Sequence, residues 1–315
     1  MIEAVTSDKP PPYSNRGVTL LPKPQGCGAS RAENPAFIDA YLATVYSHPD
    51  LLLDHLEQGL LDAGFDTRRE DGPPIRFYGR NALLLDPSGH RLVQVRYPGK
   101  NPHPFVEAKG PVSPIVAQVL RERFNHSPSR IDSAVDLRGP EVFDQLHRLA
   151  QRYEGQKSLK LDYDGAAPDN PDRGTTIYLG SRKSQVFVRI YQKGLKHAAE
   201  IGLSPSEIPD ELRHWVRIEL ELKPDKRPAR MRARHLSPAA IWGCSPWTAE
   251  FAMEALAIDA ERVHMQERRE SNHDRAMRFL VQQYGPTILK QVENLGSWDR
   301  FTADLQERLG VLEPV

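Results

Sequence analysis

Three stretches of this 315-residue chain alternate polar and apolar residues in a way that sets chemistry on one side of a strand. In "VFVRIYQKG", Val186, Val188 and Ile190 share one side, and Phe187, Arg189, Tyr191 and Lys193 the other. In "RIDSAVDL", Arg130, Asp132, Ala134 and Asp136 lie opposite Ile131, Val135 and Leu137. In "WVRIELELK", Arg217, Glu219, Glu221 and Lys223 lie opposite Val216, Ile218, Leu220 and Leu222. In one antiparallel sheet these polar sides form one surface. An ordinary solvated face with cross-strand Lys–Glu pairs is the simplest account of it. Against that stands the clustering of Asp132, Asp136, Glu219 and Glu221, which repel one another unless a cation lies among them. Oxygen ligands of this kind favour Mg²⁺ or Mn²⁺, or Ca²⁺, over zinc or copper.

A divalent ion beside a tyrosine flanked by Arg189 and Lys193 suits attack on a phosphodiester. The cations neutralise the non-bridging oxygens, and Tyr191 is the nucleophile that keeps the bond energy in a covalent intermediate. A free phenol ionises near pH 10, so Arg189, Lys193 and the metal are expected to stabilise the phenolate. Water as the nucleophile is the rival chemistry, and a binding module without catalysis the other.

The elements that must hold these residues follow from periodicity. "FIDAYLATV" reads as a strand and "PDLLLDHLEQGLLDAGF" as a helix. "RFYGRNALLL", "RLVQVRYPG" and "PFVEAKG" read as further strands, and "SPIVAQVLRERF" as a helix. From Arg130 the order returns: strand, helix ("GPEVFDQLHRLAQRYEG"), "TTIYLG", the Tyr191 strand, a helical piece and a closing strand. The expectation is an α+β fold of two related halves, each an antiparallel sheet with helices on one face, followed by a helical C-terminal extension. The expected boundaries are a flexible Pro/Gly/Ser-rich arm over 1–34, a first half over 35–129 serving DNA recognition, a catalytic half over 130–223, and a basic linker with helices over 224–315. "LDYDGAAPDNPD" lacks the acid pattern of a calcium loop and reads as a connector. Trp215, Trp242 and Trp247 are expected in cores, and His214 is the one histidine placed to assist the acids.

Lysine plus arginine equals aspartate plus glutamate at 42 each, so a nucleic-acid interface must be local. Between Arg173 and Lys196 there are six basic residues and no acid: Arg173, Arg182, Lys183, Arg189, Lys193 and Lys196. Arg227, Arg230, Arg232 and Arg234 form a second basic run that follows a duplex flank or is simply solvated. Two distant cysteines, Cys27 and Cys244, suggest a reducing compartment, and no apolar run has the length of a membrane span; a cytoplasmic protein is expected.

The three motifs, in this order and with "LSPAAIWGCSPW" after them, resemble the replication initiation factor family, the rolling-circle initiators of plasmids and filamentous phages with related relaxases of conjugative elements. The resemblance runs best from Arg130 to Trp247. It implies a nickase and strand transferase whose tyrosine, here Tyr191 beside Lys193, joins the 5′ phosphate at an origin and frees a 3′ hydroxyl. It also implies metal ligands among Asp132, Asp136, Glu219 and Glu221. The expected partners are origin DNA, as single strand or hairpin with a duplex flank, a second copy of the chain, and a host helicase. The same chemistry could serve transfer of a mobile element, and loss of it would leave an origin-binding regulator. The paired-histidine motif of other initiators is missing from the sequence.

Overall fold

The computed structural model describes residues 36–75, 77–99, 102–167, 170–265 and 272–310. The expected arm, with Cys27, lies outside the described residues. The chain divides into two compact units, 1–265 and 266–315.

Ten strands of the first unit form one antiparallel sheet: β1 (Phe37–Val45), β2 (Arg68–Gly72), β3 (Tyr78–Leu85), β4 (Arg91–Gly99), β5 (Phe105–Lys109), β6 (His126–Arg138), β7 (Leu161–Ala167), β8 (Asn170–Leu179), β9 (Val186–Tyr191) and β10 (Trp215–Leu222). Their spatial order is β2-β3-β4-β5-β1-β6-β10-β9-β8-β7. The two halves of that order mirror each other about the central β1–β6 pair. The register obeys the same symmetry. Tyr41 faces Ile131; Leu42 faces Arg130 as Ala40 faces Asp132; Ala43 faces Pro128 as Ile38 faces Ser133; Thr44 faces Ser127 as Phe37 faces Ala134. Exchanging the halves leaves the pairing unchanged, so the expected duplication is a two-fold built on β1 and β6.

One face of the sheet is apolar and packs helices. In α1 (Pro49–Asp62), Leu52, Leu53, Leu56 and Leu60 recur at helical spacing and are buried, after a start set by His48 and Pro49. The helices α2 (Ser113–Arg123) and α3 (Val142–Lys157) bury Val116 and Leu120, and Leu146, Ala150 and Tyr153. "KRPARMRAR" is not a linker: it forms α6 (Arg227–Ala233), whose Ala229 and Ala233 are buried in the core. After it come α7 (Pro238–Ile241) and α8 (Pro246–Leu256). Trp242, between them, is fully buried, and its indole N–H donates to Ser133 Oγ at 3.0 Å.

Two short helices, α4 (Lys193–Glu200) and α5 (Asp210–Arg213), carry a separate apolar cluster of Leu195, Ala198 and Ile208. The Tyr191 strand is therefore shorter than its alternation suggested. It ends at Tyr191, and Lys193 opens a helix. "LDYDGAAPDNPD" is likewise no connector, since β7 and the start of β8 run through it as an antiparallel pair. The second unit holds α9 (Asn272–Leu295) and α10 (Trp298–Arg308), with Gly296 in the left-handed region between them and Ser297 accepting from the Arg300 amide. Among the described residues no helix is long and apolar enough to cross a membrane.

Gly194 sets how closely α4 approaches α5. A Cβ at this position would lie 1.6 Å from the Leu212 carbonyl oxygen, a backbone atom that cannot step aside. Gly194→Ala is expected to destabilise the protein by about 1–3 kcal/mol or more, read as a lower midpoint in urea unfolding with an unchanged slope.

Candidate functional site

The polar sides of β6, β9 and β10 form one surface as expected, but it is not a solvated face. Asp132, Asp136, Arg217, Glu219 and Glu221 are each no more than 3% exposed. Asp132, Arg217 and Glu219 floor a cleft of about 860 Å³ walled by residues of β1, β5, β8 and α4, which Asp136 and Glu221 do not line. Buried charges must be paired and hydrogen-bonded to persist. Here register does the pairing. Arg217 lies across from Asp136 on one side and Tyr191 on the other, and Glu219 lies across from Arg189.

The contacts run as one chain of alternating sign. Lys223 meets Glu221 at 2.5 Å, and Arg130 meets Glu221 at 2.8 Å and grips both oxygens of Asp132 at 2.8 and 2.5 Å. Arg189 Nη2 bridges Asp132 Oδ2 at 2.9 Å and Glu219 Oε2 at 2.5 Å. The Tyr191 hydroxyl donates to Glu219 Oε1 at 2.5 Å. Arg217 donates to both oxygens of Asp136 at 2.6 and 2.7 Å and, through Nη1, to Asp39 Oδ1 at 2.8 Å. The four acids expected to share one cation therefore do not form one open ligand set. Asp132, Asp136 and Glu221 are occupied by arginine or lysine, and among the described residues no group of three or more His, Cys, Asp or Glu is placed to hold a metal.

Asp39 joins the site unannounced by its own strand pattern. Ile38, Tyr41, Ala43 and Val45 belong to the core, so simple alternation would send Asp39 there too. The β1–β6 register skips a residue between Ile38 and Ala40, and this bulge turns Asp39 into the cleft. The only available signal was an acid inside an otherwise apolar strand.

The Asp39 and Glu219 carboxyls share a hydrogen bond. Burial, then repulsion from Glu219, pushes the Asp39 carboxyl up to about 7, despite the Arg217 guanidinium beside it. Glu219 moves the other way: burial opposes its charge, but Arg189, the Tyr191 hydroxyl and Arg217 together hold it below the usual carboxylate range. The pair thus keeps one proton, on the Asp39 side. Five carboxylates (Asp39, Asp132, Asp136, Glu219, Glu221) share four cations (Arg130, Arg189, Arg217, Lys223), and that proton offsets the excess. Tyr191 is pushed well above its ordinary value by burial and by the Glu219 charge, so without a metal its phenol stays neutral. Arg189 is committed to the two carboxylates rather than to the phenol.

The remaining expected residues separate. Lys193, its pKa lowered by burial and by Arg217, sits 5.9 Å over the Trp215 ring. Lys196 sits 5.8 Å over the Tyr191 ring. Both line the cleft, as does Trp215, which is buried, as expected, at its edge. Arg182 stacks on Tyr178 at 3.9 Å in the turn before β9, and Lys183 shares that turn. The side chain of Arg173 lies outside the described residues. Arg230, Arg232 and Arg234 donate to Pro224, His264 and Asn125 on the helical side of the molecule, Arg227 opens α6, and none of the four lines the cleft. His214 ends α5, where its carbonyl accepts from Gly139, and does not line the cleft.

Three comparisons bear on this geometry. Over 237 residues the chain is 26% identical to the putative DNA relaxase NicK of Bacillus subtilis (strain 168). The match takes in 69% of this chain and 63% of the relative, so the chain spans less than two thirds of that protein's length. A solved structure of a rolling circle replication initiator protein from Geobacillus stearothermophilus aligns with 73% of this chain and 100% of its own, at 14% identity and a TM-score of 0.46. Residues 128–237, the stretch from β6 through α6 that carries Asp132, Tyr191 and Glu219, match the model of the replication initiation factor family, and it is this family that the chain resembles.

Proposed function

We propose that the protein is a tyrosine DNA nickase and strand transferase that starts rolling-circle replication at an origin, with Tyr191 as nucleophile. The observation that carries the reading is the 2.5 Å hydrogen bond from the Tyr191 hydroxyl to Glu219, in a cleft that also presents Lys193 and Lys196. A phenol with a raised pKa needs a base, and Glu219 already accepts its hydrogen bond. In the proposed reaction that proton passes to Glu219. The Tyr191 oxygen bonds to phosphorus, the bond from phosphorus to the 3′ oxygen breaks, and the 3′ oxygen leaves as a hydroxyl with a proton from Lys193. Rejoining is the same path reversed. Lys193, whose pKa burial has lowered, is suited to giving up a proton. The similarity to a protein named a relaxase supports a second task for the same step, transfer of a mobile element.

Asp39 and Glu219 are the residues we assign to a divalent ion, although Arg217 and Arg189 already contact them. They are two hard oxygen donors held together by one proton, at the point where the network carries excess negative charge. Two carboxylates suit Mg²⁺ or Mn²⁺, which complete their shells with water and substrate phosphate oxygens. Bound there, the ion would neutralise charge on the phosphate in the transition state.

Single-stranded oligonucleotides from the origin of the protein's own element, incubated with and without Mn²⁺ and run on a denaturing gel, test the nucleophile. The expected result is a metal-dependent covalent adduct on the peptide bearing Tyr191, abolished in Tyr191→Phe while DNA binding changes less than about twofold. Cleavage without an adduct, unaffected by Tyr191→Phe, would transfer the nucleophile's role to water.

The ion is expected to compete with the shared proton. Because the Asp39 pKa is raised to about 7, Mn²⁺ affinity should climb about tenfold per pH unit below pH 7 and level off above it. Asp39→Asn should remove this slope. Without metal the sign for folding is opposite: the native state holds a proton the unfolded chain releases near pH 4, so this group's stabilisation falls as pH rises from about 4 through 7. Calorimetric titration of Mn²⁺ at several pH values, with melting curves of the metal-free protein, checks both.

A further inference from the structure

The two-fold that relates the halves also relates their polar faces. Carried outward from the β1–β6 pair, it sets Lys109 on Lys223, Glu107 on Glu221, Phe105 on Glu219, Arg96 on Arg189 and Pro98 on Tyr191. These follow from the pairings of Leu42 with Glu107 and of Glu107 with Gln94, against those of Asp132 with Glu221 and of Glu221 with Phe187. The counterpart face keeps a cation at two of these positions, Arg96 and Lys109, and lacks the nucleophile and its base.

We infer that this face of β4 and β5 is a non-catalytic phosphodiester-binding surface, which holds the single strand of DNA where it runs out of the Tyr191 cleft. The inference rests on the nicking reading for the identity of that strand.

Three observations carry it. First, the charge is unbalanced. Arg96 Nη2 meets Glu107 at 2.5 Å, Lys109 Nζ meets it at 2.8 Å and Arg91 Nη2 at 3.9 Å, so three cations surround one carboxylate. In a chain of zero net charge such a local excess is what attracts a polyanion. Secondly, Arg96 and its counterpart Arg189 each bury an Nε–H with no acceptor among the described residues. An acceptor brought by a ligand would satisfy both, and phosphate oxygens are the acceptors a guanidinium fork fits best. Thirdly, the surface is continuous with the cleft. Lys109, with Gly110 and Pro111, lines the same cavity as Tyr191 and Glu219, and Arg130 stands between them. Five inter-strand spacings separate Arg189 on β9 from Arg96 on β4, about 24 Å along the sheet. A single strand of several nucleotides covers that span. Phe105, which has the Arg96 guanidinium 5.6 Å from its ring centroid, supplies an aromatic face beside these cations.

The test is fluorescence anisotropy of a labelled oligothymidine bound to the full chain in EDTA, titrated with NaCl. The variants are Arg91→Gln with Lys109→Gln, both exposed in the fold, and separately Arg96→Gln. We expect the double variant to bind about tenfold more weakly and its slope of log affinity against log salt to shrink by about 1.4, two contacts at about 0.7 each. Wild-type affinity and slope in the double variant, or no salt-dependent binding by the unaltered protein, would overturn the inference. The Tyr191 adduct assay is independent of it. Loss of the slope without any adduct would remove the catalytic reading and leave this surface, whereas an adduct with an unchanged slope would do the reverse.

Discussion

Burying charge on one face of a sheet is the constraint on which everything else here depends. An isolated carboxylate is driven to its neutral form in that environment, a guanidinium stays charged and needs a partner, and breaking one buried pair costs about 3–5 kcal/mol through the charge it strands. The fold meets this by register. Antiparallel pairing sets Arg217 between Asp136 and Tyr191, and Glu219 beside Arg189, while Asp132, which lies across from Glu221, is matched by Arg130 on its own strand and by Arg189 two strands away. The solution is not complete. Five carboxylates against four cations leave one negative charge over, and it collects where Asp39, re-aimed by a bulge, meets Glu219. Reactivity is located by that remainder.

The two-fold about β1 and β6 explains why a bulge should be available at that point. Asp39 is the residue skipped in β1, and Ser129, its symmetry counterpart, is the residue skipped in β6. The irregularity thus belongs to the duplicated frame, and only the residue placed on it differs. The same holds further out. Arg96 and Arg189 occupy matching positions, yet one faces Phe105 across the pairing and the other Glu219. In that frame Arg96 and Lys109 keep the charge of Arg189 and Lys223, while Pro98, Phe105 and Ser129 stand where the reactive half has Tyr191, Glu219 and Asp39.

The sequence disclosed the faces well and their surroundings poorly. Period-two alternation placed Arg189 with Tyr191, and Arg217 with Glu219, because strand geometry leaves no other choice. It could not say whether that face meets water, which depends on β1, β5, β8 and α4 arriving from elsewhere in the chain. The acids were legible, and so, in retrospect, were their partners. Arg130 precedes Asp132 by two residues, and Lys223 follows Glu221 by two, so each lies on the same face and neutralises the acid beside it. Asp39 was hidden because a bulge inverts alternation locally. Strand β7 was hidden because Asp, Gly and Pro are turn formers, and pairing with β8 overrode their preference.

The position of Tyr191 follows from the same ledger of charge. Its phenol is neutral and donates to Glu219, and burial with that carboxylate holds its pKa up. Ionising it in place would add a negative charge to a network whose five carboxyls already need a proton to balance four cations. Removing its proton to Glu219 leaves the total unchanged but displaces the proton that Asp39 shares. Either route therefore requires positive charge to enter the cleft with the reacting group, and the two residues nearest that need, Lys193 and Lys196, stand on α4 rather than on the sheet. A strand would have fixed them in register with an acid. Because β9 stops at Tyr191 and a helix begins two residues later, they face the cleft with no ion pair in contact among the described residues, though Lys193 feels the charges of Glu200 and Asp39.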